Sequence, residues 1–210
     1  MLLCRKDGAL YRAFDERIAL TIAQENGGGG APSWRVSHDI EAQGTVEDID
    51  DTDYNWFGGQ MLPFSGANVY KLPVDHHELM AMVAPRALLE TGNSEFYFLS
   101  NGSNYISARA TQRIFYTLGI GDRFGFYIDG NHGHCATLPA EAAPLQAFVS
   151  KFMLGQTNAN TDVAIYPDPA DTTNYVTQLW SRAATTPTFS NHKLPEVDRL
   201  VGNQQSAISG

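Results

Sequence analysis

One stretch near the middle of the chain limits what the whole can fold into. Residues 124–129 form an apolar run, and Gly130 ends it. A short loop follows that carries His132, His134 and Cys135 in close succession. An apolar run of this length predicts a buried strand, and functional side chains gather in the loops at the carboxyl ends of parallel strands. The stretch therefore predicts an α/β fold with a candidate site directly after this strand.

Two other apolar runs, at residues 17–22 and 87–91, predict strands of the same sheet. Asp75, with Glu78 three residues later, is typical of a capping box at the start of a helix. Residues 31–74 have no clear periodicity and are predicted to be irregular. Helical periodicity predicts three helices, at residues 76–84, 103–118 and 145–153.

This alternation of strands and helices is typical of a parallel sheet that is covered on both faces. Three strands would leave an edge of the sheet unpaired, so we expect that an N-terminal half of the domain is missing from this chain. Residues 1–155 are assigned to the C-terminal part of that domain. Residues 156–210 are rich in Thr, Asn, Pro and Asp, and are predicted to form an extended tail that packs partly on the domain.

Composition and charge exclude several classes of partner. The chain has 210 residues, 43% of them hydrophobic, and a net charge of −9. This acidity argues against nucleic acid and against an anionic membrane as partners. No apolar run is long enough to span a bilayer, and charge follows the first four residues too soon for a signal peptide. The two cysteines, Cys4 and Cys135, could form one disulfide or remain two free thiols.

The histidine loop suggests acid–base catalysis. A histidine base needs a nucleophile within hydrogen-bond reach and an acid that orients its ring. His134 is our candidate base, with His132 as the alternative. Glu25 follows the first predicted strand, at the end where sites gather in open parallel sheets, and is our candidate acid. The simpler alternatives are a loop histidine without a role and an exposed loop glutamate.

No metal site is predicted, although three groups of residues contain metal-ligand types. His76 and His77 are adjacent, and adjacent helical residues point about 100° apart, so they do not converge on one ion. His76 lies on the apolar helix face and is predicted to be a hydrogen-bonded core histidine. Calcium in the acidic run at residues 47–53 is disfavoured, because the run lacks the EF-hand spacing. Zinc is a weak alternative at His132, His134 and Cys135.

Eight short stretches of the chain match one known family in order. They include Gly-Asn-His-Gly-His-Cys at residues 130–135, and the other seven are residues 13–21, 24–27, 34–35, 72–77, 84–86, 122–125 and 148–155. Together they lie over about residues 6 to 155. In this combination the chain resembles the glucuronoyl esterases, carbohydrate esterase family 15.

The resemblance implies an α/β-hydrolase fold, a three-layer αβα sandwich, without metal or cofactor. It implies hydrolysis of the ester between 4-O-methyl-glucuronate on xylan and the alcohols of lignin, so that glucuronoxylan and lignin–carbohydrate esters are the expected partners. Members of the family are secreted, which predicts an extracellular or periplasmic location. The complete protein is expected to be a monomer.

The resemblance also implies roles for single residues. His134 matches the catalytic histidine and Glu25 the acid of the triad. Some bacterial members place an acid after the next strand, where Glu90 or Glu95 could act instead. The residues implied in substrate binding are Lys6, Glu47, Asp53 and Phe98.

The nucleophile is the element that the sequence does not supply. An ungapped register places the family serine at Leu2, which has no nucleophilic atom; the same register places Lys6 on the family's substrate-binding lysine. In a gapped register Cys4 would be a substitute nucleophile or the disulfide partner of Cys135. We therefore predict a serine esterase that lacks its serine. The alternatives are an inactive or carbohydrate-binding fragment, and an esterase of the acetylxylan type on the same fold.

Overall fold

A computed structural model describes residues 2–3, 13–41, 46–49 and 59–167. In this part of the chain five parallel strands form one sheet in sequence order. The strands are β1 (Leu2–Leu3), β2 (Leu20–Gln24), β3 (Ala87–Asn93), β4 (Phe124–Asp129) and β5 (Ala164–Ile165). The helices are α1 (Trp34–Glu41), α2 (His76–Ala81), α3 (Asn101–Thr117) and α4 (Pro139–Phe152). Short 3-10 helices lie at Gly59–Phe64, Gly66–Lys71, Tyr97–Leu99 and Gly121–Arg123.

The sheet is covered on both faces, because side chains alternate along each buried strand. On one face, Leu88 of β3 belongs to a buried cluster with Phe115 of α3 and Met80 of α2. On the other face, Leu89 belongs to a cluster with Phe148 of α4. The α/β prediction is confirmed by this arrangement of helix, sheet and helix.

A close approach of α4 to the sheet depends on one glycine. A Cβ built on Gly125 of β4 would lie 3.0 Å from the Phe148 ring and 3.2 Å from the Val163 carbonyl oxygen. The absence of a side chain therefore lets Phe148 rest directly on the strand, where it is fully buried.

Asp75 connects two helices at their N-termini. Its side chain accepts hydrogen bonds from Trp34 N at 2.9 Å, in the first turn of α1, and from His76 N at 2.8 Å, in the first turn of α2. The Ser33 hydroxyl donates to the same carboxylate at 2.7 Å. The capping box with Glu78 that the sequence predicts is present. One buried carboxylate thus accepts from a free N–H group at the start of each of two helices.

Two expectations about secondary structure were wrong. The sheet has two strands beyond the three predicted, and both β1 and β5 are only two residues long, too short for a periodicity signal. Residues 31–74 are not wholly irregular, since they contain α1 and two 3-10 helices. Helix α1 was missed because its N-terminal partner, Asp75, lies about 40 positions further along the chain.

The proposed tail begins inside the described residues. Residues 156–167 include β5, which pairs with β4, and residues 168–210 lie outside the described part. The division of the chain into residues 1–155 and 156–210 stays a prediction. Among the described residues, no helix has both the length and the apolar character that a membrane span requires.

Candidate active site

Three neighbouring strands deliver polar side chains to one edge of the sheet. Glu25 follows β2 directly, residues 94–96 follow β3, and the histidine loop follows β4. The strands β2, β3 and β4 are parallel and adjacent, so their carboxyl ends meet at the same edge. Sites in open parallel sheets form at this edge.

The centre of the site is a pair of residues that lie far apart in sequence. His134 Nδ1 lies 2.5 Å from Glu25 Oε2. The glutamate side chain is buried, with 1% of its surface exposed, whereas 46% of the histidine side chain is exposed. A buried carboxylate on Nδ1 fixes the ring and leaves Nε2 for a reacting group, which is the division of roles in a catalytic triad.

The backbone at Glu25 is held in an uncommon conformation. Its φ is 46°, in the left-handed region that residues with a side chain rarely adopt. The Glu25 N–H donates to the Thr91 carbonyl oxygen at 2.8 Å, so the neighbouring strand β3 holds the turn in place. This turn points the carboxylate toward the histidine loop instead of along the strand.

His132, the alternative base, has different surroundings from His134. Only 3% of its side chain is exposed. Its Nε2 lies 2.9 Å from Asp129 Oδ1, and its Nδ1 lies 3.1 Å from the Gly133 carbonyl oxygen and 3.7 Å from Glu25 Oε1. Burial opposes a charge on the ring, but the carbonyl and the two carboxylates outweigh it and raise the pKa of His132 above its ordinary value. A buried ring with both nitrogens engaged is poorly placed to act as base on a substrate.

Glu90, an alternative acid, is fully buried one strand away from Glu25. Asn104 Nδ2 donates to Glu90 Oε1 at 3.0 Å, and Asn26 Nδ2 donates to Oε2 at 3.3 Å. Burial raises the pKa of Glu90 well above its ordinary value, and the nearby charge of Glu25 adds to this. A carboxyl whose ionisation burial disfavours, and whose two oxygens are held by two amides, is poorly suited to orient a histidine.

Glu95, the other alternative acid, is bound to the backbone of the histidine loop. Its Oε1 accepts a hydrogen bond from Asn131 N at 3.2 Å. Asn131 has φ 66°, in the left-handed region, and this hydrogen bond holds its backbone there. Glu95 therefore supports the loop, and Glu25 is the carboxylate that contacts His134.

Two of the four residues implied in substrate binding are described, and both contact the loops that adjoin the pair. Glu47 Oε2 accepts from Gly28 N at 2.5 Å, in the loop that follows Glu25. Glu47 N donates to the Phe98 carbonyl oxygen at 2.7 Å, and Phe98 itself is 45% exposed. The other two residues, Lys6 and Asp53, lie outside the described residues, as does Cys4.

Cys135 is disulfide-bonded and is therefore not a free thiol. The ligand atoms of Glu25, His134 and Cys135 lie within 4.8 Å of one another, close enough for a metal ion on distance alone. A cysteine binds zinc through its thiolate, and a sulfur in a disulfide does not provide one. This group of residues therefore does not fit a zinc ion.

Three contributors to the site were not singled out from the sequence. The ring of Phe96 lies 5.3 Å from the ring of His134. Asp129 binds His132, and Asn93 Nδ2 donates to the His132 carbonyl oxygen at 3.1 Å. Asp129 and Asn93 are the last residues of β4 and β3, so a polar residue at the carboxyl end of each predicted strand was the signal available.

A parallel sheet covered on both faces, with a histidine and a buried acid at its carboxyl edge, defines an α/β hydrolase. The sequence profile of the fungal glucuronyl esterases matches residues 5–119, more than half of the chain. The chain belongs to this family of glucuronyl esterases. The resemblance and the α/β-hydrolase fold expected from the sequence are both confirmed.

Known relatives agree with this assignment. The chain is 38% identical over 165 residues to 4-O-methyl-glucuronoyl methylesterase 1 of Wolfiporia cocos, a match that covers 76% of this chain and 40% of the relative. Its fold is similar to that of the glucuronoyl esterase catalytic domain of Hypocrea jecorina, with a TM-score of 0.75 at 32% identity. That match covers 81% of this chain and 47% of the other.

A third similar protein has been solved with a ligand. It is an alanine mutant, at a serine, of the glucuronoyl esterase from Sporotrichum thermophile, in complex with methyl 4-O-methyl-β-D-glucopyranuronate. Its TM-score is 0.76 at 28% identity, and the match covers 84% of this chain and 48% of the other. The chain therefore spans less than half the length of each of these three proteins.

Proposed function

We propose that this chain carries the acid–base pair of an esterase that hydrolyses esters of 4-O-methyl-glucuronate. The observation that supports this most directly is the 2.5 Å contact between His134 Nδ1 and the buried Glu25 Oε2. In the proposed reaction a serine attacks the ester carbonyl and His134 accepts its proton. His134 then passes the proton to the leaving alcohol, while Glu25 stabilises the imidazolium.

The substrate class follows from the family and from the surroundings of the pair. The similar enzyme from Sporotrichum thermophile was solved with a methyl ester of 4-O-methyl-glucuronate. In this chain Phe98 offers an exposed aromatic face and Glu47 a carboxylate in the adjoining loops. Sugars stack their apolar faces on aromatic rings and hydrogen-bond to carboxylates, so these two residues are proposed to hold the glucuronate. Esters that join glucuronoxylan to lignin alcohols are the proposed natural substrates.

The nucleophile is the part of the reaction that these residues do not provide. Leu2 has no nucleophilic atom, and Cys4 is the chain's only cysteine besides the disulfide-bonded Cys135. A cysteine within a disulfide has no thiolate with which to attack an ester. We propose that the attacking serine lies on a further segment of polypeptide, as the resemblance to the family implies.

The test is hydrolysis of benzyl glucuronate by the chain alone and by a chimera in which the serine-bearing N-terminal part of the Hypocrea jecorina domain precedes it. We expect turnover in the chimera, loss of turnover in its His134→Ala form, and none in the chain alone. Turnover by the chain alone that is lost with Cys4→Ser would instead reveal a thiol nucleophile. A chimera that hydrolyses acetylated xylan but not the glucuronate ester would favour the acetylxylan esterase alternative.

A second candidate function is carbohydrate binding without turnover. It is favoured by the exposed ring of Phe98, which lies on the same loop as Phe96 beside His134. Calorimetric titration of the chain with 4-O-methyl-glucuronic acid tests it, with Phe98→Ala as the variant and Tyr116→Ala, an exposed aromatic on α3, as the matched control. This function would be established instead if the chimera shows no turnover and if the binding is lost in Phe98→Ala but kept in Tyr116→Ala.

We also propose that the protein acts in an extracellular or periplasmic compartment. The support is the disulfide at Cys135, since such bonds persist in oxidising environments. Mass spectrometry of the protein isolated from its source without reductant, with the thiols blocked, tests this. Free thiols at both cysteines would contradict the proposal.

A further inference from the structure

The second oxygen of the proposed triad acid needs a partner. Glu25 Oε2 contacts His134, whereas Glu25 Oε1 is fully buried and has no hydrogen bond among the described residues. A buried carboxylate with one unsatisfied oxygen is costly, because that oxygen has left water without a replacement. The group that faces Oε1 is His132, whose Nδ1 lies 3.7 Å away.

His132 lies among several acidic groups from different elements. Asp129 at the end of β4 binds its Nε2 at 2.9 Å, and Glu25 after β2 faces its Nδ1. Glu141 of α4 is buried, and the charges of Asp129 and His132 both act on it. Glu95, which follows β3, accepts a hydrogen bond from Asn131 N of the histidine loop. Only 3% of the His132 side chain is exposed, so water screens these charges weakly.

The two nitrogens of His132 indicate which protonation state this setting favours. Nδ1 faces two acceptors, the Gly133 carbonyl oxygen at 3.1 Å and Glu25 Oε1 at 3.7 Å. It also lies 3.1 Å from Asn93 Nδ2, whose NH2 group donates one hydrogen to the His132 carbonyl oxygen and has a second for a neutral Nδ1. With Nε2 on Asp129, a ring that carries both protons donates to Asp129 and to the Gly133 carbonyl oxygen, and it places its positive charge 3.7 Å from Glu25 Oε1. A neutral ring leaves one of these sides without a donor.

We propose that His132 is a positioning residue that stays positively charged, bridges Asp129 and Glu25, and thereby keeps the Glu25 carboxylate turned toward His134. The order along the edge of the sheet is then Asp129, His132, Glu25 and His134, with charges that alternate from the first to the third. The raised pKa of His132 agrees with this geometry. The inference rests on the roles proposed above for Glu25 and His134.

The first test is the charge of His132 in the unmodified chain. Long-range proton–nitrogen NMR spectra of the chain with ¹⁵N-labelled histidine show how many ring nitrogens carry a proton. We expect two protonated nitrogens on His132 at pH 7. A neutral ring with its proton on Nε2, which then accepts from Asn93 at Nδ1, would overturn the proposal.

The second test asks whether His132 holds the acid in place. The short hydrogen bond between His134 and Glu25 should give a proton resonance far downfield, which is visible without any esterase activity. His132→Gln keeps a donor for Asp129 but removes the charge. In this variant we expect the proton to exchange with water about tenfold faster, or its resonance to disappear, because the local structure opens more readily.

The matched control is His77→Gln, which changes a histidine on α2, outside the site, and should leave the resonance unaltered. An unaltered resonance in folded His132→Gln would overturn the proposal. If His132→Gln does not fold, Asp129→Asn replaces it, and the same loss is expected there because His132 is deprived of its second carboxylate. The spectra do not depend on catalysis, so an inactive chimera would refute the proposed function and leave this inference to be judged separately.

Discussion

His134 Nδ1 and Glu25 Oε2 lie 2.5 Å apart, although 109 positions separate the two residues in the sequence. The contact exists because β2 and β4 flank β3 in one parallel sheet, so that the loops after them meet. Glu25→Gln in the active chimera keeps the size of the side chain but removes its charge. We expect kcat to fall by about 10³- to 10⁴-fold, as in other triads that lose their acid.

The control for that variant is Glu95→Gln, which retains an acceptor for Asn131 N. It should change kcat by less than about threefold, because Glu95 supports the loop and does not orient the base. Equal losses in the two variants would mean that Glu25 is not the acid.

Glu90→Gln should stabilise the protein at neutral pH. Burial raises the pKa of Glu90 in the folded state, so folding retains a proton that the unfolded chain releases. The contribution of Glu90 to stability is therefore fully present below the ordinary pKa of glutamate and is lost as the pH rises from there through the folded value. The loss of stability is about 1.4 kcal/mol per pH unit for one proton, and the Glu90→Gln variant does not show this loss.

The buried amide of Asn104 makes this substitution feasible. Its Oδ1 has no hydrogen bond among the described residues, so the amide can turn and accept from the new side chain. Urea unfolding at several pH values between 4 and 8 measures the difference. A free-energy difference between variant and wild type that does not change with pH would show that Glu90 is ionised in the folded protein. Glu90→Ala, which leaves the Nδ2 groups of Asn26 and Asn104 without their acceptor, should destabilise at every pH.

Asp75→Ala should be among the most destabilising single changes. It removes the acceptor for Trp34 N and His76 N at the starts of two helices, and for the Ser33 hydroxyl. The two lost caps and the buried unsatisfied hydroxyl together should lower the free energy of unfolding by about 2 to 4 kcal/mol. Asp75→Asn keeps one acceptor oxygen and should lose less. Similar losses in both variants would show that the charge, and not the number of acceptors, stabilises this junction.

Gly125→Ala should destabilise by about 1 to 3 kcal/mol, as added atoms do in a packed core. The new methyl group would press against the Phe148 ring and the Val163 carbonyl oxygen. Gly59→Ala is the control, since a Cβ there meets nothing within 4 Å. In the double variant with Phe148→Leu, the loss of stability should be smaller than the sum of the two single losses, because the smaller side chain relieves the contact. Strict additivity would mean that the two positions do not press on each other.

Several features were accessible from the sequence for a plain physical reason. The three longer strands, the helix at residues 103–118 and the capping box at Asp75 depend on periodicity or on residues within one turn of each other. The loop with His132 and His134 was found because it follows a clear apolar run. The family followed from short stretches that recur in a fixed order.

Other features depend on partners that are distant along the chain. Helix α1 is capped by Asp75, β5 exists only because β4 offers it an edge, and the surroundings of Glu90 come from Asn26 and Asn104. No local pattern distinguishes such residues from ordinary polar ones.

The sequence by itself determined the α/β class, the family and the two loops that carry Glu25 and His134. Only the tertiary structure decided which carboxylate meets which histidine, that Glu90 is sequestered by amides, and that His132 lies between Asp129 and Glu25. The reason is that local order depends on neighbouring residues, whereas charge and hydrogen bonding at the site depend on the order and register of strands that the sequence places far apart.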